Sequence, residues 1–293
     1  MAFLNQAANK VKVFLGMIKF EHTLFALPFA YTGLWLGERG WPRFHVFAGV
    51  TIAMVGMRTA AMSFNRLADH SLDSVNPRTS QWALPRGLLS RSAVWVVMMV
   101  SLLLYFLSSA MLNRLCFFLS PIPMIMIMIY PYLKRFTWFC HFFLGMILGV
   151  APAAGWVASR GNLSPECWFL FGSVLFWVAG FDMIYALQDV SFDRSHGLKS
   201  FPAEFDLRPT LWLTRVLHLM TLTFLALLGW TAQLGLFYWA GLVLIILFLI
   251  REHWLVAREG LTKIQEAFFQ MNVLVSGVLF LATCLDLAKP LAL

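Results

Sequence analysis

The sequence predicts an all-α integral membrane protein, a bundle of about nine transmembrane helices. Three observations carry this. Only 12% of the 293 residues are charged while 60% are hydrophobic, and the mean hydropathy is +0.75. A soluble domain carries about 25% charged residues, so too few polar side chains remain here to cover a watery surface. The apolar residues gather into stretches of about 20, the length of helix that crosses a bilayer. The basic residues concentrate on one side of those stretches.

In chain order, spans are expected near Leu15–Leu36, Val46–Phe64, Ala93–Leu112, Leu115–Tyr132 and Phe139–Val157, then Trp168–Leu187, Leu211–Leu234, Leu236–Ile250 and Ala267–Leu285. The first stretch is interrupted by Lys19, Glu21 and His22 and lacks an A-x-A-like end, which reads as a span and not a cleavable signal. The seventh holds Arg215 and the eighth is short, so eight spans are the alternative count. With nine helices and a cytoplasmic N-terminus, 16 of the 22 Lys and Arg lie on or near the cytoplasmic side. Arg39, Arg43, Arg114, Arg160 and Lys289 fall outside, and Arg58 sits within a span. The net charge of +8 therefore belongs mostly to one face, where it suits topology and contact with anionic lipid. No extended basic surface is left for nucleic acid.

Residues 1–293 read as one membrane domain with mostly short connections. Two longer polar loops, Asn65–Ser92 and Gln188–Thr210, follow the second and sixth spans on the cytoplasmic side, a faint repeat of four helices. Loops of this kind more often carry function. Cys116, Cys140, Cys167 and Cys284 lack C-x-x-C spacing and read as small apolar packing residues, with no disulfide or zinc site. The seven histidines show no paired metal-ligand spacing, and no nucleotide-binding glycine loop is present.

Both loops begin with an acidic cluster. In N-R-L-A-D-H-S-L-D, Asn65, Asp69 and Asp73 are four apart, which stacks them on one face of a helix, with Arg58 seven residues earlier on that face. Tyr185, Asp189 and Asp193 repeat the spacing, and Asp182 takes the place that Arg58 has in the first cluster. Carboxylate and amide oxygens are hard ligands that suit Mg²⁺ and leave room for phosphate oxygens. One such cluster alone is usually a solvated helix end. Two at matching positions, with ionisable groups inside the spans, point to function. Two Mg²⁺ around one diphosphate would neutralise the charge developing on the leaving group. A third patch, Y-P-Y-L-K-R-F-T, ends the fourth span on the same side. Lys134 and Arg135 there, with Arg66, Arg78, Lys199 and Lys19, are candidates for binding the diphosphate or the second substrate.

At these residues the chain resembles the UbiA superfamily of intramembrane prenyltransferases. The match runs from I-K-F-E-H-T, at Ile18 to Thr23, through N-R-L-A-D-H-S-L-D, N-P-R-T with A-L-P-R-G, Y-P-Y-L-K-R-F-T and Y-A-L-Q-D-V-S-F-D-R, to F-P-A-E-F at Phe201 to Phe205. The last three spans match in hydropathy alone. The resemblance implies a central cavity capped by cytoplasmic loops and opening laterally to lipid. It also implies Mg²⁺ bound through Asp69, Asp73, Asp189 and Asp193, assisted by Asn65. The implied reaction joins a polyprenyl group from polyprenyl diphosphate to an aromatic acid of the 4-hydroxybenzoate kind, for ubiquinone or menaquinone synthesis in the inner (cytoplasmic) membrane. The stretches F-E-H-T-L-F-A-L-P-F and G-M-R-T-A-A-M-S-F-N-R resemble a branch associated with 1,4-dihydroxy-6-naphthoate and the futalosine route. The aspartates are expected as metal ligands and not as direct bases. Arg58 is the preferred partner of the acceptor carboxylate, with Lys19 and Tyr185 as alternatives. The chain departs from the family pattern at Trp82, where an Arg is usual, and near Glu204 and Asp206, where Arg and Gly are usual. Arg86 is expected to stand in for the first. A membrane transporter, with charged groups at broken helices, is the rival from another class.

Overall fold

The structure, a computed structural model, describes residues 12–19, 23–259 and 264–288. Phe20, Glu21, His22 and Lys289 lie outside them. Helix α1 covers residues 12–17 and ends where Lys19 turns into the left-handed region at φ 47°. The expected first span is therefore two pieces, and α2 is Thr23–Glu38. Then follow α3 (Phe44–Ala68), α4 (His70–Val75), α5 (Arg91–Leu112), α6 (Arg114–Leu119), α7 (Pro121–Leu133) and α8 (Cys140–Arg160). The chain continues as α9 (Pro165–Ala186), α10 (Val190–Ser195), α11 (Phe201–Phe205), α12 (Leu207–Thr231), α13 (Leu236–Glu259) and α14 (Ile264–Leu287).

Among the described residues, seven helical stretches are long and apolar enough to cross a membrane, with α6–α7 and α9–α10 each counted once. Helices α2 and α14 are the remaining candidates for the nine passages expected from sequence. The expected eighth span is longer than the sequence suggests, since α13 has 24 residues. The fourth expected span is broken between α6 and α7 at Ser120, before Pro121, whose missing N–H cannot continue the ladder. The loop after α3 holds α4, and the loop after α9 holds α10 and α11.

Lipid explains the surface. On α5, Val96, Met99, Val100, Leu103 and Leu107 form one exposed apolar stripe, while Val94, Met98, Leu102 and Tyr105 are buried on the other side. Between helices, small residues allow close approach, because apolar burial alone drives little association in a bilayer. A side chain at Gly155 would strike the Ala30 carbonyl of α2, and one at Gly33 the Pro152 carbonyl of α8.

The bundle has two unlike halves. Helices α9, α12, α13 and α14 enclose a solid core that includes Trp177, Phe181, Leu225, Leu228, Tyr238, Ile245 and Leu279. The other half, walled by α3 and α5 to α9, surrounds a cavity of about 770 Å³. Among the described residues, none that lines it comes from α12, α13 or α14. The three spans without motifs buttress α9, and the helices carrying motifs make the hollow.

Candidate active site

The cavity's mouth is where the two acidic clusters meet. Asn65, Asp69 and Asp73 face it from α3 and α4, and Tyr185, Asp189 and Asp193 from α9 and α10. The clusters are not simple stripes on unbroken helices. Helix α3 stops at Ala68, and Asp69 sits at φ −96°, ψ 9° before α4 resumes. Helix α9 gives way to a 3₁₀ turn at Leu187–Asp189, with Asp189 at φ −101°, ψ 2° before α10. The middle carboxylate of each cluster thus occupies the same sparsely populated bridge region, a frequent conformation of active-site residues.

Each of these four carboxylates is matched by a cation. Arg78 holds Asp189 with two parallel bonds, Nε to Oδ1 at 2.9 Å and Nη2 to Oδ2 at 2.8 Å. Lys134 Nζ lies 2.8 Å from Asp193 Oδ1. Arg135 reaches Asp69 and Arg66 reaches Asp73, each at 3.5 Å. Ser200 donates to Asp193 Oδ2 at 2.8 Å, and Asn65 Nδ2 to Asp69 Oδ2 at 3.1 Å. Arg78 thereby ties the first loop to the second cluster, and the end of α7 is tied to both.

The electrostatics differ between the groups. Burial, then the neighbouring Asp73, pushes the Asp69 carboxyl up to about 6, against the pull of Arg135. Burial also raises Asp73, opposed by Arg66. Burial pulls Arg78 down, but its bonds to Asp189 outweigh that and leave it above its ordinary value.

The donor set fits a divalent cation. Asp69 Oδ1, Asp73 Oδ2 and Asp193 Oδ1 are buried and face cations without a well-aligned hydrogen bond, which leaves them able to exchange those cations for a metal. Among the described residues, no three His, Cys, Asp or Glu side chains converge into a closed metal cage. Carboxylates are hard oxygen donors of the kind Mg²⁺ takes, one or two at a time, with its remaining positions filled by water and substrate phosphate.

Thirteen of the fourteen residues singled out from sequence line the mouth or the wall below it: Lys19, Arg58, Asn65, Arg66, Asp69, Asp73, Arg78, Lys134, Arg135, Asp182, Tyr185, Asp189 and Asp193. Lys199 does not. Gly197, at φ 65°, turns the chain so that the Lys199 side chain is exposed, and only its backbone N–H engages Lys134, at 2.6 Å from the carbonyl. Arg86 is exposed and off the cavity too, so it does not stand in at the Trp82 position. Sequence reasoning missed three groups on the wall: Trp82 as a participant, Tyr130, and His141, whose Nδ1 is 2.7 Å from Asp182 Oδ2.

Residues 26–274 match the UbiA prenyltransferase family. The chain belongs to that family. Among curated UbiA-type relatives, 4-hydroxybenzoate octaprenyltransferase of Vibrio atlanticus (strain LGP32) is 33% identical over 250 residues, 84% of this chain and 88% of that protein. A UbiA homolog from Aeropyrum pernix K1 superposes with a TM-score of 0.83 at 31% identity, covering 91% of this chain and 98% of that one. A UbiA homolog from Archaeoglobus fulgidus, bound to GPP and Mg²⁺, shares the fold at a TM-score of 0.71 and 18% identity, over 92% and 99% of the chains.

The departures from the UbiA pattern have structural meaning. Trp82 lines the cavity with three cations around its indole: the Arg66 guanidinium 3.7 Å from the ring centroid, Arg78 at 5.7 Å and Lys19 at 5.8 Å. The aromatic face of Trp82 gathers cations at the mouth. Asp206 takes φ 64°, ψ −177°, a conformation that suits glycine. Its carboxylate pairs with Arg194 and its carbonyl accepts from Thr210 Oγ1 at 2.6 Å.

Proposed function

We propose that this chain transfers a polyprenyl group from polyprenyl diphosphate to an aromatic acid of the 4-hydroxybenzoate type, with Mg²⁺ as cofactor. The observation that carries the reading is the meeting of two acidic clusters at the mouth of one largely apolar cavity, with each carboxylate matched by a Lys or Arg. The apolar wall suits the prenyl chain, and the charged mouth suits its diphosphate.

Asp69, Asp73, Asp189 and Asp193, with Asn65, would hold the metal. Bound there, Mg²⁺ neutralises charge on the departing diphosphate. Arg66, Arg78, Lys134 and Arg135 offer donors to the diphosphate oxygens, with Lys19 beside them. The buried wall below excludes water from the allylic cation formed when the C–O bond breaks. Arg58 lies two helical turns before Asn65, about 10 Å below that amide, and lines the same cavity. Its guanidinium fork matches the acceptor's carboxylate, which leaves the electron-rich ring facing the cation. Tyr185, near Arg78 on the wall, helps to orient the ring. The basic connections support placing this mouth at the cytoplasmic face of the inner membrane, with residues 1–293 acting as one unit. Family membership removes the ground for a transporter.

The test is prenyl transfer in purified membranes with Mg²⁺, one long polyprenyl diphosphate, and 4-hydroxybenzoate competing with 1,4-dihydroxy-6-naphthoate. Transfer to either establishes the reaction, and the preferred acceptor assigns the quinone route. Asp69→Ala and Asp189→Ala are expected to abolish transfer in folded protein, and Arg58→Ala to raise KM for the acid more than for the diphosphate. Full activity in both aspartate variants would refute the metal assignment.

A further inference from the structure

Among the described residues, five carboxylates line the cavity, and four of them face a guanidinium or an ammonium. Asp182 does not. Among the described residues its ionic partner is His141, with Nδ1 2.7 Å from Asp182 Oδ2. The histidine is fixed in turn. It is 2% exposed, and its Nε2 accepts the backbone N–H of Phe201 at 3.2 Å. That bond assigns the proton to Nδ1, so a neutral imidazole donates to Asp182. Phe201 opens α11, and the loop that closes the mouth therefore sets the tautomer.

Position matters as much as partner. Asp182 is two helical turns before Asp189, about 10 Å deeper than the carboxylates at the mouth. Arg58 stands eleven residues before Asp69 on α3, about 16 Å below it and so deeper than Asp182. An aromatic acid anchored at Arg58 spans the tier on which Asp182 stands, and the Asp182 side chain keeps 20% of its surface open. A carboxylate fixed against a positive charge accepts protons poorly. One oriented by a neutral N–H keeps that capacity.

We propose that Asp182 is the base that removes the ring proton, and that His141 is its positioning residue. The inference rests on the prenyl transfer proposed above. The ring carbon beside the hydroxyl bonds to C1 of the prenyl chain, while the C1–O bond breaks and its electron pair leaves with diphosphate. The C–H bond at that ring carbon then breaks, its electrons restore aromaticity, and the proton passes to Asp182 Oδ1. Water receives the proton as the products leave.

The test uses the full chain with Mg²⁺, polyprenyl diphosphate, and 4-hydroxybenzoate carrying deuterium beside the hydroxyl. Asp182→Asn is expected to lower kcat by roughly 10²–10⁴-fold, to leave both KM values unchanged, and to bring out a primary deuterium isotope effect absent from the unaltered protein. His141→Leu is expected to lose roughly 10–100-fold, as supporting residues commonly do, with the same isotope effect. His141→Gln, which keeps an N–H donor, is expected to recover part of that loss. An Asp182→Asn protein with full rate, or a slow one without the isotope effect, overturns the proposal. Failure of the unaltered protein to make product would instead overturn the reaction class. Acceptor-free diphosphate release by Asp182→Asn shows that it is folded. Should it not fold, equal rates in the two His141 variants, or no isotope effect in His141→Leu, overturn the assignment.

Discussion

The Arg66 guanidinium lies 3.7 Å from the centre of the Trp82 ring while it reaches 3.5 Å to Asp73. The indole thus backs the cation that faces a carboxylate of the mouth, and Arg78 and Lys19 share its rim.

Removing that backing is expected to loosen the diphosphate pocket. Each cation–π contact is worth about 0.5–2 kcal/mol, so Trp82→Ala should raise KM for polyprenyl diphosphate roughly tenfold and leave KM for the acid unchanged. Trp82→Phe, which keeps a ring face, should lie between. Steady-state kinetics with each substrate varied in turn decides this, and equal effects on both KM values would contradict it.

Asp69 gives a pH prediction. Its folded value of about 6 stands above the ordinary 3.8, so the metal-free folded protein binds this proton more tightly than the unfolded chain. The associated stability is complete below 3.8 and is lost as pH rises to about 6. Mg²⁺ needs the ionised form. Between pH 7 and pH 5 its half-saturation is expected to rise about tenfold, read from Mg²⁺-dependent diphosphate release. A flat dependence would remove Asp69 from the ligand set.

Asp206→Gly is expected to stabilise the protein. A non-glycine residue in this backbone region costs about 1–3 kcal/mol, whereas the exposed pair with Arg194 contributes about 0–1 kcal/mol. The balance is a gain of about 1 kcal/mol, visible as a higher Tm in detergent. Asp206→Ala should lose the ion pair without relieving the backbone.

Gly155→Val should do the reverse. The added side chain meets the Ala30 carbonyl, which cannot move without displacing α2 from α8. Overpacking of this kind costs about 1–3 kcal/mol, and the same thermal measurement reports it.

The spans and both clusters were legible because apolar length and a repeat of four are local properties. The bends at Asp69 and Asp189 were not, since a spacing of four is equally compatible with an unbroken helix. Arg78 could be named as a phosphate candidate, but its bond to Asp189, 111 residues away, belongs to the tertiary fold. Lys199 has the composition of a binding residue, and a turn at Gly197 takes it off the wall. His141 carries no spacing signal because its partners, Asp182 and Phe201, come from α9 and α11. Trp82 was visible only as a lost arginine; that its ring collects three cations required the loop's path.

The four mouth pairs join Asp69, Asp73, Asp189 and Asp193 to Arg135, Arg66, Arg78 and Lys134, so the formal sum is zero. At the boundary of a low-dielectric slab, that makes the resting mouth an internal ion exchanger. A metal ion arriving alone would have to strip carboxylates from cations left without a counter-charge, and a diphosphate arriving alone would strand the carboxylates. Arriving together, they let the two sets of side chains trade partners with little change in total charge. Metal and diphosphate binding are therefore thermodynamically coupled, each tightening the other by the same factor.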